Sequence, residues 1–162
     1  YWSEPFNARS GLTVAMPRLM GDKLFVSSFY NGSMMMRLHA NAPKAEVLWR
    51  GKSSSERNTD GLHSLISTPH LEDGHIYGVC SYGQLRCLKA DTGERVWETF
   101  QPVVGKSERW GTAFIVKHEE RFFLFNELGD LIIARLSPSG YEEISRANLL
   151  EPANTDPRRN VV

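Results

Sequence analysis

The stretch that decides the fold is Glu72-Asp-Gly-His-Ile-Tyr-Gly-Val-Cys-Ser-Tyr-Gly83, continued by Gln84-Leu-Arg-Cys-Leu88, Asp91-Thr-Gly93 and Arg95-Val-Trp97. Its apolar runs are short, rich in aromatic and β-branched residues, and never long enough to carry three-and-four helical spacing. Each run is cut by a turn signal: Asp73-Gly74, Tyr82-Gly83, then Asp91-Thr92-Gly93. Glycine at these places permits a positive φ without a Cβ clash, as tight hairpins demand. The spacing predicts strands over 65–71, 75–81, 84–89 and 94–100, joined by those three turns into an antiparallel meander.

Two further stretches repeat the pattern. The first runs from Met20 to Gly32, then Met34-Met-Met-Arg-Leu38 and Glu46-Val-Leu-Trp49. The other runs from Glu119 to Gly129, then Asp130 to Leu136, Ser139-Gly140 and Glu143-Ile144. The apolar starts Leu24, Ile76 and Phe122 lie 52 and 46 residues apart, and Trp49 and Trp97 lie 48 apart. Roughly 40–50 residues is the length of one four-stranded propeller blade. The expected fold is all-β: a β-propeller segment of about three four-stranded antiparallel blades, at 12–50, 65–100 and 111–146. Propellers close with about 4–8 blades, so three make no ring. The end sheets are then expected to expose apolar flanks that further blades, or a second copy of the chain, would cover. Residues 147–162, polar and turn-rich before Val161-Val162, read as a linker toward a further blade.

The second unit, with Leu85 and Leu88 around Arg-Cys, the Asp91-Thr-Gly93 turn and the closing Trp97, resembles the pyrroloquinoline-quinone-like β-propeller repeats. The resemblance covers about 12–145. It is fullest in the second unit; the first keeps Trp49 without a Thr-Gly turn, and in the third Ile144 stands in the Trp place. Lys89 departs from the pattern, which commonly has Asp there. The resemblance implies that Trp49 and Trp97 dock between blades against the Thr92-Gly93 type of turn. It also implies a bacterial periplasmic or extracellular setting. That family includes quinoprotein alcohol dehydrogenases, which use pyrroloquinoline quinone and calcium, and envelope assembly propellers that bind no quinone. A noncatalytic binding or scaffold module is the favoured expectation, and part of a quinone- and calcium-dependent dehydrogenase the alternative. A stacking Trp (Trp110) and Glu127 are present, but no clustered Asp and Asn set for calcium.

Composition narrows the partners. The 162 residues carry 19 Lys plus Arg and 19 Asp plus Glu, for a formal net charge of zero, so there is no bulk attraction to nucleic acid. No apolar run approaches the length of a transmembrane helix. Two cysteines build neither a disulfide scaffold nor a zinc cluster. Cys80 and Cys87 flank the Tyr82-Gly83 turn; they lie opposite one another if its loop has two residues and on opposite faces if it slips by one. The five histidines show no metal-ligand spacing, and there is no Gly-x-Ser-x-Gly elbow and no phosphate-binding glycine loop. Neither a catalytic residue nor a metal site is assigned. Consecutive Met34, Met35 and Met36 alternate faces in a strand and so read as packing. Asn31-Gly32-Ser33 reads as a hairpin turn.

Strand reversal gathers the second-to-third-strand turns and the interblade loops on one face of the disc. That face is expected to carry the candidate ligand-binding residues His63, Tyr82, Arg109, Trp110 and Glu127. Arg109 offers a bidentate fork for a carboxylate or phosphate, and Trp110 an aromatic surface. The expected ligand is a protein, peptide or glycan.

Overall fold

The computed structural model describes residues 1–7 and 9–152. Twelve strands form three four-stranded antiparallel sheets, each a simple meander. The first sheet holds β1 (Arg18–Met20), β2 (Lys23–Ser28), β3 (Gly32–Leu38) and β4 (Ala45–Arg50). The second holds β5 (His70–Glu72), β6 (His75–Val79), β7 (Leu85–Lys89) and β8 (Arg95–Thr99). The third holds β9 (Ala113–His118), β10 (Arg121–Asn126), β11 (Asp130–Ser137) and β12 (Gly140–Asn148). The only helical element among the described residues is a short 3-10 turn at Arg9–Gly11. The short first strands β1, β5 and β9 approach one another side by side, as the inner strands of a propeller do.

The turn chemistry explains the meanders. Asp73 and Gly74 both have positive φ (45° and 74°), the two-residue turn whose twist matches that of its strands. The β6–β7 connection is longer than a two-residue loop. Val79 pairs with Leu85, and the Cys80 N–H donates to the Gln84 carbonyl at 2.8 Å. Cys80 and Cys87 therefore face opposite sides of the sheet, both buried and unbridged. Strand β5 is shorter than the expected 65–71, because the preceding residues belong to the interblade connection. Strand β12 runs on through Asn148, and residues 153–162 of the expected linker lie outside the described residues.

The core lies between sheets rather than within them. Phe25 and Met35 of the first sheet meet Ile76 and Leu88 of the second in one cluster. Tyr77, Val79, Leu85 and Cys87 on the other side of the second sheet meet Phe122, Leu124, Ile132 and Ala134 of the third. Strict alternation along each strand puts successive residues in the two seams. Buried side chains of this size each contribute about 1.5–3 kcal/mol, so the sheets hold one another in place.

Each sheet carries a register shift at the same point between its third and fourth strands, at Met35/Met36, Cys87/Leu88 and Ile133/Ala134. Just before the shift Met35 faces Trp49, Cys87 faces Trp97 and Ile133 faces Ser145. The Trp place in the third sheet is therefore Ser145, not Ile144: the β-bulge is common to all three sheets, and the β11–β12 hairpin is longer than the β7–β8 one, paired down to Ser137 and Gly140.

The two indoles make the same contact one blade apart. Trp49 donates its Nε1–H to the Ala90 carbonyl of the second sheet at 2.7 Å, and Trp97 donates to the Ser137 carbonyl of the third at 2.8 Å. The Trp49 ring lies on Gly93, whose φ of 72° and missing side chain let the turn approach it. Thr92 closes that turn by accepting the Glu94 N–H on its hydroxyl.

The two end sheets differ. In the first, Met34 and Met36 on the side away from the second sheet are as buried as Met35. The amino-terminal residues run alongside it, held by a Glu4–Arg50 ion pair, an Asn31–Asn7 hydrogen bond and the Phe29 N–H on the Leu12 carbonyl. The first flank is thus partly covered, with Leu19 exposed and Leu24 and Val26 half-covered, while at the third sheet Phe114 and Val116 stay exposed and Phe123, Phe125, Leu131 and Ile133 are half-covered.

Candidate functional site

The β6–β7 turn and the loops 51–63 and 101–111 meet on one face. The second loop is pinned to the turn by backbone bonds: Glu108 N–H to the Tyr82 carbonyl and Trp110 N–H to the Ser81 carbonyl. From this frame Arg109 reaches Glu56 with two bonds, Nε to Oε1 at 2.8 Å and a terminal nitrogen to Oε2 at 3.1 Å. Tyr82 donates its hydroxyl to the same Glu56 Oε1 at 3.1 Å, and the Ser81 hydroxyl donates to the Glu56 carbonyl. The Arg109 guanidinium also lies 4.4 Å from the centre of the Trp110 ring. Bonding to Glu56 raises the Arg109 pKa above its ordinary value, while burial and then the Glu56 carboxylate push the Tyr82 phenol upward. Trp110 sits at a φ of 66°, an uncommon conformation for a bulky residue.

Tyr82, Arg109 and Trp110 thus come together as expected, with Glu56 as the partner the sequence reading lacked. Residues 52–60 read as a solvated polar loop, and nothing local marks Glu56 as the acceptor for a fork 53 residues away.

His63 does not join them. Its ring is fully enclosed beneath the face, with Nδ1 3.0 Å from the Phe29 carbonyl and Nε2 3.6 Å from Asp60 Oδ1. The Nδ1 contact to a carbonyl assigns the proton to that nitrogen. Burial, the largest influence, holds its pKa below the ordinary value, against the Phe29 carbonyl and Asp60, which favour the charged form. Glu127 faces a different cavity. It lies in the β10–β11 turn and lines a cleft of about 370 Å³ with Phe114, Phe125 and Leu150 on the open flank of the third sheet.

A buried arginine missed in the sequence organises the ground beneath the site. Arg86 is 2% exposed and bonds Glu98 (3.0 Å), the Thr59 hydroxyl (2.8 Å), the Gly61 carbonyl (2.5 Å) and Cys80 Sγ (3.1 Å). One side chain thereby ties loop 51–63 to the second sheet. Its only sequence signal is a charge in the otherwise apolar Leu85-Arg-Cys-Leu88.

Among the described residues no three His, Cys, Asp or Glu side chains gather into a metal site, so the oxygen cage that calcium requires is not assembled. Arg109 lies over the Trp110 ring, on which a flat quinone would stack. These residues do not fit pyrroloquinoline quinone with calcium.

Three meander sheets packed face to face, with inner strands side by side and indoles bridging the seams, define a partial β-propeller. No family model matches the chain, and no curated protein matches it. Among solved structures, the crystal structure of BamB from Moraxella catarrhalis superposes with a TM-score of 0.55 at 16% identity, over 84% of this chain. The chain spans only 35% of the length of that one. The similarity is one of fold. Among the described residues no helix is long and apolar enough to cross a membrane.

Proposed function

We propose that the chain is a noncatalytic binding and scaffold module of the pyrroloquinoline-quinone-like repeat type, working in the bacterial periplasm or outside the cell. Its open third sheet docks a further four-stranded blade, and its loop face, with Tyr82, Arg109 and Trp110, is presented to a protein or peptide. One observation carries the reading. The residues by which the second sheet receives the third are Tyr77, Val79, Leu85 and Cys87. The residues 46 positions later are Phe123, Phe125, Leu131 and Ile133, all on the open side of the third sheet. The same pleat positions that build an existing seam are thus repeated, still apolar, where no sheet covers them. Contiguous apolar patches of this kind mark interaction surfaces. Coverage of about a third of BamB agrees with a longer propeller.

The test is sedimentation velocity across a micromolar series, with binding of an apolar fluorescent dye measured in parallel. The chain is expected to self-associate or bind dye, and Phe125→Asp and Ile133→Asp to abolish both while leaving the far-ultraviolet circular dichroism intact. A monomer that binds no dye, or variants that associate as before, would overturn the docking role of this face.

A further inference from the structure

A second cleft, of about 370 Å³, opens where the three inner strands meet. Three successive sheets each contribute a basic side chain to it: Arg18 from β1, His70 from β5 and Lys117 from β9. Its other walls are mostly apolar, with Met16, Pro69, Ile115 and Val116 beside Thr68, whose hydroxyl accepts the Met16 N–H.

The charges there do not balance. Glu72 is the one acid that pairs with these groups among the described residues, and both its oxygens are engaged. Lys117 takes Oε1, and His70 Nε2 stands 3.7 Å from Oε2. Arg18 forms no ion pair with the described residues, and its Nε is shut off from water without a hydrogen-bond acceptor. A guanidinium nitrogen in that state has lost its hydration and gained nothing in return. What the cleft can reach is the rest of the guanidinium, which has no counter-ion among the described residues, and a planar anion suits it because the guanidinium fork matches a carboxylate. Lys117 keeps further N–H donors, since an ammonium has three.

We propose that this inner-strand cleft binds a small organic carboxylate, with the carboxylate held by Arg18 and Lys117 and the apolar body lying on Met16, Ile115 and Val116. A bare inorganic oxyanion would leave the apolar walls unused, and a neutral molecule would leave the Arg18 charge without a counter-ion. His70 is an internal reporter. Burial first, then the fields of Arg18 and Lys117, hold its pKa below the ordinary value, with Glu72 acting the other way. A bound anion adds a second negative neighbour and so favours the charged imidazole.

The experiment titrates the intact chain with benzoate, benzamide and inorganic phosphate, following the His70 ring protons and the Arg18 Nε–H by NMR. Benzoate is expected to shift both signals saturably in the millimolar range and to move the His70 titration midpoint upward. Benzamide is expected to do neither, and phosphate to bind more weakly than benzoate. Loss of a charge-assisted bond in Arg18→Gln should weaken benzoate by about tenfold or more. Lys117→Gln, on a different sheet, should weaken it as well, so the result does not rest on one variant's folding. Three outcomes would overturn the proposal: no saturable shift with benzoate, equal binding of benzamide, or tighter binding of phosphate than of benzoate.

Discussion

The indole of Trp49 lies so close to Gly93 that a methyl group built on that glycine would sit 2.7 Å from the ring. The contact joins two sheets, and it works only because the third turn of the second sheet has a residue with neither a side chain nor an aversion to positive φ.

Gly93→Ala is therefore expected to cost about 2–4 kcal/mol, adding left-handed strain to overpacking. Gly74→Ala shares the positive φ (74°) but has open space around it, so its expected cost is only about 1–2 kcal/mol. Urea midpoints of the two variants separate strain from seam contact, and equal losses would contradict the close approach.

Trp97→Ala should destabilise by about 3 kcal/mol, the lower end for a buried aromatic truncation, since the ring is partly exposed. Trp110→Gly is expected to change stability by no more than about 1 kcal/mol, because relief of its positive φ offsets the lost ring contact. Comparable losses in the two would remove the distinction between a seam indole and a loop-face one.

Arg86→Met keeps most of the side-chain volume but leaves the Gly61 carbonyl and Thr59 hydroxyl without their donor. The expected cost is about 2–3 kcal/mol. Amide exchange should accelerate through residues 51–63, the loop that Arg86 anchors. Unchanged exchange there would mean that other contacts hold the loop.

Glu56→Ala removes the acceptor of Arg109 and Tyr82. Arg109 is about half exposed, so the global effect on stability should be small. Its signature should be local: faster exchange in both loops and loss of the Arg109–Trp110 stacking from the near-ultraviolet spectrum. A large global loss would show the pair to be structural.

His63 sets a pH dependence. Its folded pKa lies below the ordinary value of 6.5. Between those values the unfolded chain holds the extra proton, so stability is full above pH 6.5 and falls as pH drops toward the folded value. Asp60 and Arg86 are the charged groups that act on the ring. His70, shifted the same way, adds to the slope. His63→Gln should flatten the urea midpoint on the acid side of 6.5, and an unaltered slope would exclude the ring as its source.

What could be read from sequence followed the range of the interactions. The meanders were legible because a turn is local: Asp73-Gly74 and Tyr82-Gly83 announce themselves within a few residues. Ile144 was misplaced by one because counting from the Ser139-Gly140 turn assumes a hairpin of the same length as the second sheet's, and Ser145 became visible as the Trp position only through its pairing with Ile133. The relation of Cys80 to Cys87 hung on one residue of loop length. His63 went to the wrong environment because nothing in Gly61-Leu-His-Ser64 says which way a loop side chain turns. Glu56 and Arg86 were missed because their partners come from other loops and strands, and pairing at that range is a property of the packed sheets alone.

The seam bonds also give the arc a direction. Both seam indoles, Trp49 and Trp97, point forward, from one sheet to the turn of the next. At Ser145 the series stops, so a blade docked on the third sheet would receive no indole from that position. Such a joint is the weak link of the chain of sheets. Under heat or tension a ring containing it would part first at that boundary, like a clasp, while the two indole-bridged seams before it stayed shut.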